Sequence, residues 1–296
     1  MSFDALFGNT AALARLRAIL ERNRPAHAFL FSGPEGVGKK LAAIAFAGEL
    51  GARITVVQRL EDGHVISIDQ VRVLIESLAW TSSEPRAVIF DNAHWMSEEA
   101  MNALLKTLEE PPERTFLILV THLPDLLLET IRSRCQTVHF APMSDEDLGC
   151  YARTSLHLGD EDARVVALLS EGSIGAATAM VEEIGGIRAA ARDLQTRVLS
   201  GDLNSLIESL GKIKDTKEAR RAAKRDLRLL AHVLRETLRT RSGSTPCLAT
   251  AEFISRHSKI DEDGLIERME ALLDHERMID LYANVGLTVE DALLHL

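Results

Sequence analysis

The sequence predicts an α/β domain with a parallel sheet, followed by a helical C-terminal half. Short apolar runs, typical of strands buried on both faces, alternate with segments whose apolar residues recur at helical spacing. Strands that alternate with helices indicate a parallel sheet with helices on both faces. The strand signals fade after Pro142, and from Ile187 onward the pattern is helical with few interruptions.

The elements of the first half have recognisable boundaries. Ser97 is a predicted N-cap, because its hydroxyl can accept a free N–H at a helix start, and Pro111-Pro112 ends that helix. Ser144 and Asp147 form a predicted capping box for the next helix. The predicted strands comprise residues 27–31, 87–90, 115–120 and 137–140, and the predicted helices comprise residues 12–20, 39–50, 68–80 and 97–110.

Composition and charge are those of an ordinary globular protein. Apolar residues make up 46% and charged residues 26% of the 296 positions, and the net charge is −10. This balance argues against a chain that binds nucleic acid through bulk charge alone. The three cysteines form no zinc motif, and neither a signal peptide nor an apolar stretch long enough for a bilayer is visible. We therefore expect a cytoplasmic protein without a membrane contact.

A glycine-rich segment between the first strand and the next helix carries the clearest chemistry. Residues 33–40, GPEGVGKK, fit a phosphate-binding loop, or P-loop. Gly33, Gly36 and Gly38 would let backbone N–H groups converge on phosphates, and Lys39 would reach the outer phosphates. The following position should carry a hydroxyl that helps to hold Mg²⁺, but Lys40 cannot ligate a cation. An ordinary glycine turn is the alternative interpretation.

An acidic residue at the end of the next buried strand is a candidate metal-holding group. Asp91 follows the apolar run 87–90, where P-loop ATPases place a carboxylate that orients Mg²⁺. The alternative is that Asp91 caps the following turn. For His94, close by in the sequence, we expect a local hydrogen bond rather than a bond to a metal.

Three segments resemble the clamp-loader family of the ATPases associated with diverse cellular activities (AAA+). They are residues 91–97, 102–112 and 126–135, the last ending in Ser133-Arg134-Cys135. The resemblance covers nearly the whole chain and is strongest between residues 28 and 140. It implies an AAA+, RecA-like P-loop domain at 1–142, a small helical lid at 143–185 and an all-α collar for oligomerisation at 186–296.

The Ser-Arg-Cys triplet is similar to a signature of that family, in which the arginine projects across a subunit interface towards a neighbour's ATP. The resemblance therefore implies that Arg134 is an arginine finger that acts in trans. A guanidinium fork stabilises charge on a transferring phosphoryl group better than an ammonium does. The alternative is a surface arginine that pairs with Glu129 or Asp125.

The chain departs from the hydrolysing members of the family at three positions of its own nucleotide site. Lys40 replaces the hydroxyl residue, Asn92 replaces the glutamate that activates water, and Ala176 replaces an arginine of the second sensing motif. Thr121 stands where the family places its first sensing residue, with a threonine that satisfies local backbone groups as the alternative. Residues 51–86 lack the four cysteines of the family's usual zinc module, so no zinc is expected.

The altered site implies a delta-prime-type subunit that acts as a stator. The implied partners are gamma/tau and delta subunits in a hetero-pentameric ring, with the sliding clamp and primed DNA reached through the complex. No cofactor is required, although ATP or ADP could still occupy the altered loop. Two alternatives stay open: an active gamma/tau-like ATPase with Glu98 or Glu99 as the base, and a small-molecule P-loop kinase.

Three features outside the site are less specific. The basic run between Lys217 and Arg228 is expected to be a solvated helix face, with DNA or an acidic partner as the alternative. Residues 280–287 resemble the end of the family's collar. Trp80 and Trp95 are expected to pack in the core.

Overall fold

The chain divides into two compact units. The first comprises Met1–Tyr151 with Ser170–Thr178, and the second comprises Ala152–Leu169 with Ala179–Leu296. The computed structural model describes residues 3, 6–21, 25–60, 63–79, 83–201, 216–280 and 284–294. Trp80 and residues 281–283 of the expected collar end lie outside the described residues. The finer division into a P-loop domain, a lid and a collar stays a prediction.

A five-stranded parallel sheet lies at the centre of the first unit. Its strands are β1 (Ala28–Ser32), β2 (Arg53–Val57), β3 (Arg86–Phe90), β4 (Thr115–Thr121) and β5 (Gln136–His139). They are ordered β2–β3–β4–β1–β5, and every neighbouring pair is parallel, which confirms the predicted fold class. The sequence pattern missed β2, because four of the five residues of this edge strand are exposed and give no continuous apolar run.

Helices flank the sheet and make up most of the other described residues. In chain order the α-helices are α1 (Thr10–Leu20), α2 (Lys39–Glu49), α3 (Ile68–Ala79), α4 (Glu98–Glu109), α5 (Glu129–Arg132), α6 (Asp145–Thr154), α7 (Asp160–Leu169), α8 (Ile174–Ala179), α9 (Ile184–Ser200), α10 (Lys217–Thr240), α11 (Ala251–His257), α12 (Glu262–Asp280) and α13 (Val285–Leu294). Short 3₁₀ helices occur at Ala93–Trp95, Pro124–Leu126 and Val181–Glu183. None of the helices in the described ranges is long and apolar enough to cross a membrane.

Two apolar cores lie on the two faces of the sheet. One face packs against α1 and α2, and the other packs against α3 and α4. Side chains alternate along a strand, so Phe29 and Phe31 of β1 join the first core while Leu30 joins the second. Phe46 of α2 meets Phe29 edge to face with ring centroids 4.9 Å apart. Burial on both faces explains why the central strands are continuous apolar runs in the sequence.

The predicted helix starts are confirmed. The Ser97 hydroxyl accepts the N–H of Ala100 at 3.2 Å. The Ser144 hydroxyl accepts the N–H of Asp147 at 3.0 Å and donates to the Asp147 carboxylate at 2.7 Å. These bonds satisfy N–H groups that have no partner within their own helix. The start of α4 is thereby fixed a few residues after β3, which sets where the polar residues between them lie.

The secondary-structure elements in the described residues of the second unit are all helices, and α10 packs along α12. The basic residues of α10 are not simply solvated. Arg228 pairs with Glu276 of α12 at 2.6 Å, and Arg220 donates to the backbone oxygen of Ile279 at 2.7 Å. Arg228 nevertheless keeps 50% of its side chain exposed, so the expected solvated face and a contact to α12 coexist at this residue.

Candidate functional site

The sheet register brings the candidate residues to one edge. Ser32 at the end of β1 lies beside Thr121 at the end of β4, and Phe90 at the end of β3 lies beside Leu119. The carboxyl ends of parallel strands meet at the same edge, where ligands of α/β proteins commonly bind. The P-loop follows β1 and Asp91 follows β3, so both leave the sheet at this edge.

The P-loop has a backbone that only glycine adopts easily. Gly33, Gly36 and Gly38 have φ angles of 145°, 73° and 93°. A Cβ on Gly33 would lie 2.1 Å from the backbone oxygen of Phe140, and a Cβ on Gly36 would lie 2.0 Å from the Ser173 hydroxyl oxygen. The loop is therefore shaped by close contacts as well as by torsion angles.

Lys39 is folded into the loop. Its ammonium donates to the backbone oxygen of Gly33 at 2.7 Å and to that of Pro34, and the residue is 7% exposed. Burial lowers the pKa of Lys39 from 10.5 to about 8, against the charges of Glu35 and Asp91, which act to raise it. The structure thus places one cation at the start of α2, where helix N–H groups add positive potential.

Lys40 forms an ion pair with Asp91. Nζ and Oδ2 are 2.9 Å apart, and the two side chains are 41% and 16% exposed. Two roles were considered for Asp91, a metal ligand and a cap of the next turn. The ion pair with Lys40 is neither of them. Asn92 follows in the left-handed region with φ 52° and begins the 3₁₀ helix.

These residues do not fit a magnesium ion. Mg²⁺ needs oxygen ligands at about 2.0–2.1 Å in near-octahedral geometry. Here the carboxylate of Asp91 is paired with an ammonium, and the position next to Lys39 offers no oxygen. Across the described part of the chain, no group of three or more His, Cys, Asp or Glu side chains is arranged to hold a metal.

Thr121 is bonded to the segment that follows Asp91. Its hydroxyl oxygen accepts the N–H of Leu123 at 3.0 Å and lies 3.0 Å from Nδ1 of His94, which confirms a local hydrogen bond for this histidine. Burial lowers the pKa of His94, and the charge of nearby His122 acts in the same direction. The contact with Leu123 is the local backbone role considered for Thr121. A nucleotide-sensing role stays a prediction.

The start of α8 and the residues just before it contact the P-loop. Gly175 donates its N–H to the backbone oxygen of Gly36 at 3.0 Å, and the Ser173 hydroxyl caps α8 by accepting the N–H of Ala176 at 3.1 Å. The only sequence signal was the glycine pair Gly172 and Gly175, which permits such close approach of two backbones. Residues 172–176, which resemble the family's second sensing motif, therefore lie against the loop.

Arg134 lies just beyond α5, and its side chain contacts Glu109 and Thr130. Its Nη2 pairs with Oε1 of Glu109 at 2.5 Å, its Nη1 donates to the backbone oxygen of Thr130 at 2.9 Å, and its side chain is 37% exposed. The alternative pairing with Glu129 or Asp125 is wrong. Asp125 instead accepts Arg132 at 2.8 Å. Sequence reasoning missed Glu109, because the contact depends on how α4 and α5 pack.

Comparisons with known proteins agree with the motifs. A family described as "DNA polymerase III, delta subunit" matches residues 52–144. The gamma subunit of DNA polymerase III from Buchnera aphidicola subsp. Schizaphis graminum is 28% identical over 209 residues, which cover 61% of this chain. The delta-prime subunit from Bacillus subtilis is 36% identical over 147 residues, which cover 42% of this chain. These matches are to subunits of DNA polymerase III, and they support the clamp-loader family that the motifs indicate.

The matches cover only part of the length of these relatives. The aligned region of this chain spans 58% of the Buchnera gamma subunit and 45% of the Bacillus delta-prime subunit, less than two thirds of either. A solved structure of the Thermotoga maritima RuvB branch-migration motor superimposes with a TM-score of 0.53 over 92% of this chain and 89% of RuvB. At 20% sequence identity that likeness shows a shared fold.

Proposed function

We propose that this chain is the delta-prime subunit of a DNA polymerase III clamp loader. It would act as a stator that supplies Arg134 to the ATP of a neighbouring motor subunit while the complex loads a sliding clamp onto primed DNA. Its partners would be gamma/tau and delta subunits in a hetero-pentameric ring. As a replication protein without a membrane segment in its described residues, it would work in the cytoplasm.

The Lys40–Asp91 ion pair is the observation that carries this proposal. A hydrolysing P-loop needs a metal between these positions and a base beside the carboxylate. In this chain the Lys40 ammonium, 2.9 Å from Asp91, occupies the place of the metal. Asn92, which cannot accept a proton from water, occupies the place of the base. A chain whose own site is altered in this way would contribute through the exposed guanidinium of Arg134, and would need no cofactor of its own.

The second candidate function is an active gamma/tau-like ATPase. Gamma and tau subunits are among the relatives, and the Buchnera gamma subunit aligns over more of this chain than the Bacillus delta-prime subunit does. An active motor would need another base, but Glu98 and Glu99 lie in the first turn of α4, beyond the 3₁₀ helix that follows Asp91. Purified chain that hydrolyses ATP at about one per second or faster would favour this candidate.

Reconstitution with motor subunits, clamp and primed DNA tests the stator proposal. Arg134→Ala should lower DNA-stimulated ATPase by about tenfold or more, because the neighbour loses a charge that stabilises the transferring phosphoryl group. Arg134→Lys should restore little, since an ammonium lacks the planar fork. Size-exclusion chromatography should show that both variants still assemble.

Arg132 provides a matched control for that experiment. Its side chain is 37% exposed like that of Arg134, and it too is ion-paired, with Asp125. Arg132→Ala should leave the ATPase close to the wild-type rate. Equal losses in both variants, or a wild-type rate in Arg134→Ala, would remove the proposed role.

A further inference from the structure

The P-loop collects more fixed positive charge than a metal-dependent site needs. Lys39, buried at the start of α2, and Lys40, the next residue, both place ammonium groups at the loop. The N-terminus of α2 adds the partial positive charge of its free N–H groups. Glu35 and Asp91 are the nearby carboxylates that act on Lys39. The two carboxylates balance the two ammonium groups, so the N–H donors of the lysines and of the helix start, rather than a net positive charge, make this an environment for phosphate oxygens.

The ammonium of Lys40 and a magnesium ion would compete for one carboxylate. Lys40 Nζ lies 2.9 Å from Asp91 Oδ2, and Asp91 is mostly buried. A divalent ion bound to Asp91 would have to displace this like-charged group and shed water, which Mg²⁺ does reluctantly. The ammonium of Lys40 has three N–H donors, and its pair with Asp91 occupies one, so the others can serve phosphate oxygens.

We propose that Lys40 takes the place of the metal and that the P-loop binds a nucleoside diphosphate or triphosphate in its magnesium-free form. The free nucleotide keeps the negative charge that magnesium would neutralise, and that charge matches the two lysines. The nucleotide would be a structural ligand that bridges Lys39 and Lys40. This inference concerns the chain's own loop and does not depend on the role of Arg134.

The competing explanation is that Lys40 and Asp91 form an ordinary surface ion pair. Pairs of that kind contribute little, and the Lys40 side chain is 41% exposed. Under that explanation, replacing Lys40 would leave the metal preference of nucleotide binding unchanged. The two explanations therefore differ in a measurable quantity, the ratio of the dissociation constants with and without magnesium.

Titration of the purified chain with a fluorescent ATP analogue, in EDTA and in excess Mg²⁺, measures that ratio. The wild-type chain should bind at least about fivefold more tightly in EDTA. Lys40→Thr restores the hydroxyl and frees Asp91, so it should reverse the preference and bind more tightly with Mg²⁺. Lys40→Met removes the charge without supplying an oxygen, and it should bind weakly in both conditions.

A wild-type affinity that is equal or higher with Mg²⁺, or no binding in either condition, would overturn the proposal. So would a Lys40→Thr variant that keeps the preference for EDTA. Far-UV circular dichroism checks folding, and Asp91→Asn gives a second test, because it leaves the Lys40 ammonium to the phosphates and should keep binding in EDTA. If the nucleotide titration fails, the Arg134 proposal is unaffected. If the reconstituted ATPase assay fails, the proposal of magnesium-free nucleotide binding is unaffected.

Discussion

A buried carboxylate in the second unit supports the most quantitative prediction about stability. Glu236 of α10 is 5% exposed, and its two oxygens accept three consecutive backbone N–H groups before α11. The donors are Cys247 at 2.5 Å, Leu248 at 2.8 Å and Ala249 at 2.5 Å. One side chain therefore supplies hydrogen-bond acceptors for three backbone N–H groups in a segment without regular secondary structure.

The cost of removing this carboxylate follows from those contacts. Hydrogen bonds to a charged group contribute about 1.5–3 kcal/mol each, but Cys247 and Ala249 are only partly buried, so water can replace part of what they lose. We expect Glu236→Ala to lower the free energy of unfolding by about 3 kcal/mol. For a unit of this size that is a decrease in melting temperature of about 6–12 °C. Glu236→Gln keeps one acceptor oxygen and should cost less.

The two units can be followed separately in this measurement. Both tryptophans, Trp80 and Trp95, belong to the first unit, so their fluorescence reports on that unit, whereas far-UV circular dichroism reports on the helices of both. Glu236→Ala should shift the circular dichroism transition and leave the fluorescence transition in place. Glu267→Ala, an exposed site on α12, should stay within about 0.5 kcal/mol of wild type. A Glu236→Ala variant as stable as that control would refute the reasoning.

Two further predictions concern thiols and pH. Iodoacetamide should modify exposed Cys150 in the folded chain much faster than Cys135 or Cys247, because burial raises the pKa of both thiols to about 12; equal rates by mass spectrometry would contradict this. Burial acts to lower the pKa of His275, but hydrogen bonds to Asp291 and to a helix carbonyl outweigh it and raise the pKa. Stability from this contact should be present below pH 6.5 and lost as pH rises through the folded pKa; Asp291→Asn should flatten that loss, and an unchanged pH profile would contradict it.

The fold could be predicted where one sequence pattern decided the structure. The central strands are buried on both faces, so each is a short apolar run that ends at the candidate site, and Ser97 and Ser144 mark their helix starts by chemistry alone. The edge strand β2 has one neighbouring strand and mostly exposed residues, which leaves no such run. Local patterns therefore located the centre of the sheet and missed its edge.

The candidate site was predictable in its residues and not in its contacts. The P-loop, Asp91 and Thr121 follow from motifs, because each stands at the end of a strand. The pairing of Arg134 with Glu109 joins residues 25 positions apart through helix packing, and no local pattern encodes it. Gly36 and Gly175, which are also in contact, are even farther apart in the sequence. Such contacts depend on the whole fold, which the spacing of residues along one element does not determine.

The most direct test is a structure of the assembled loader with a non-hydrolysable ATP analogue on the motor subunits. We expect the guanidinium of Arg134 to have left Glu109 and to lie about 3 Å from a terminal phosphate oxygen of the neighbouring subunit's nucleotide. An Arg134 side chain that still pairs with Glu109, distant from every bound triphosphate, would contradict the claim that this chain completes its neighbour's reaction site.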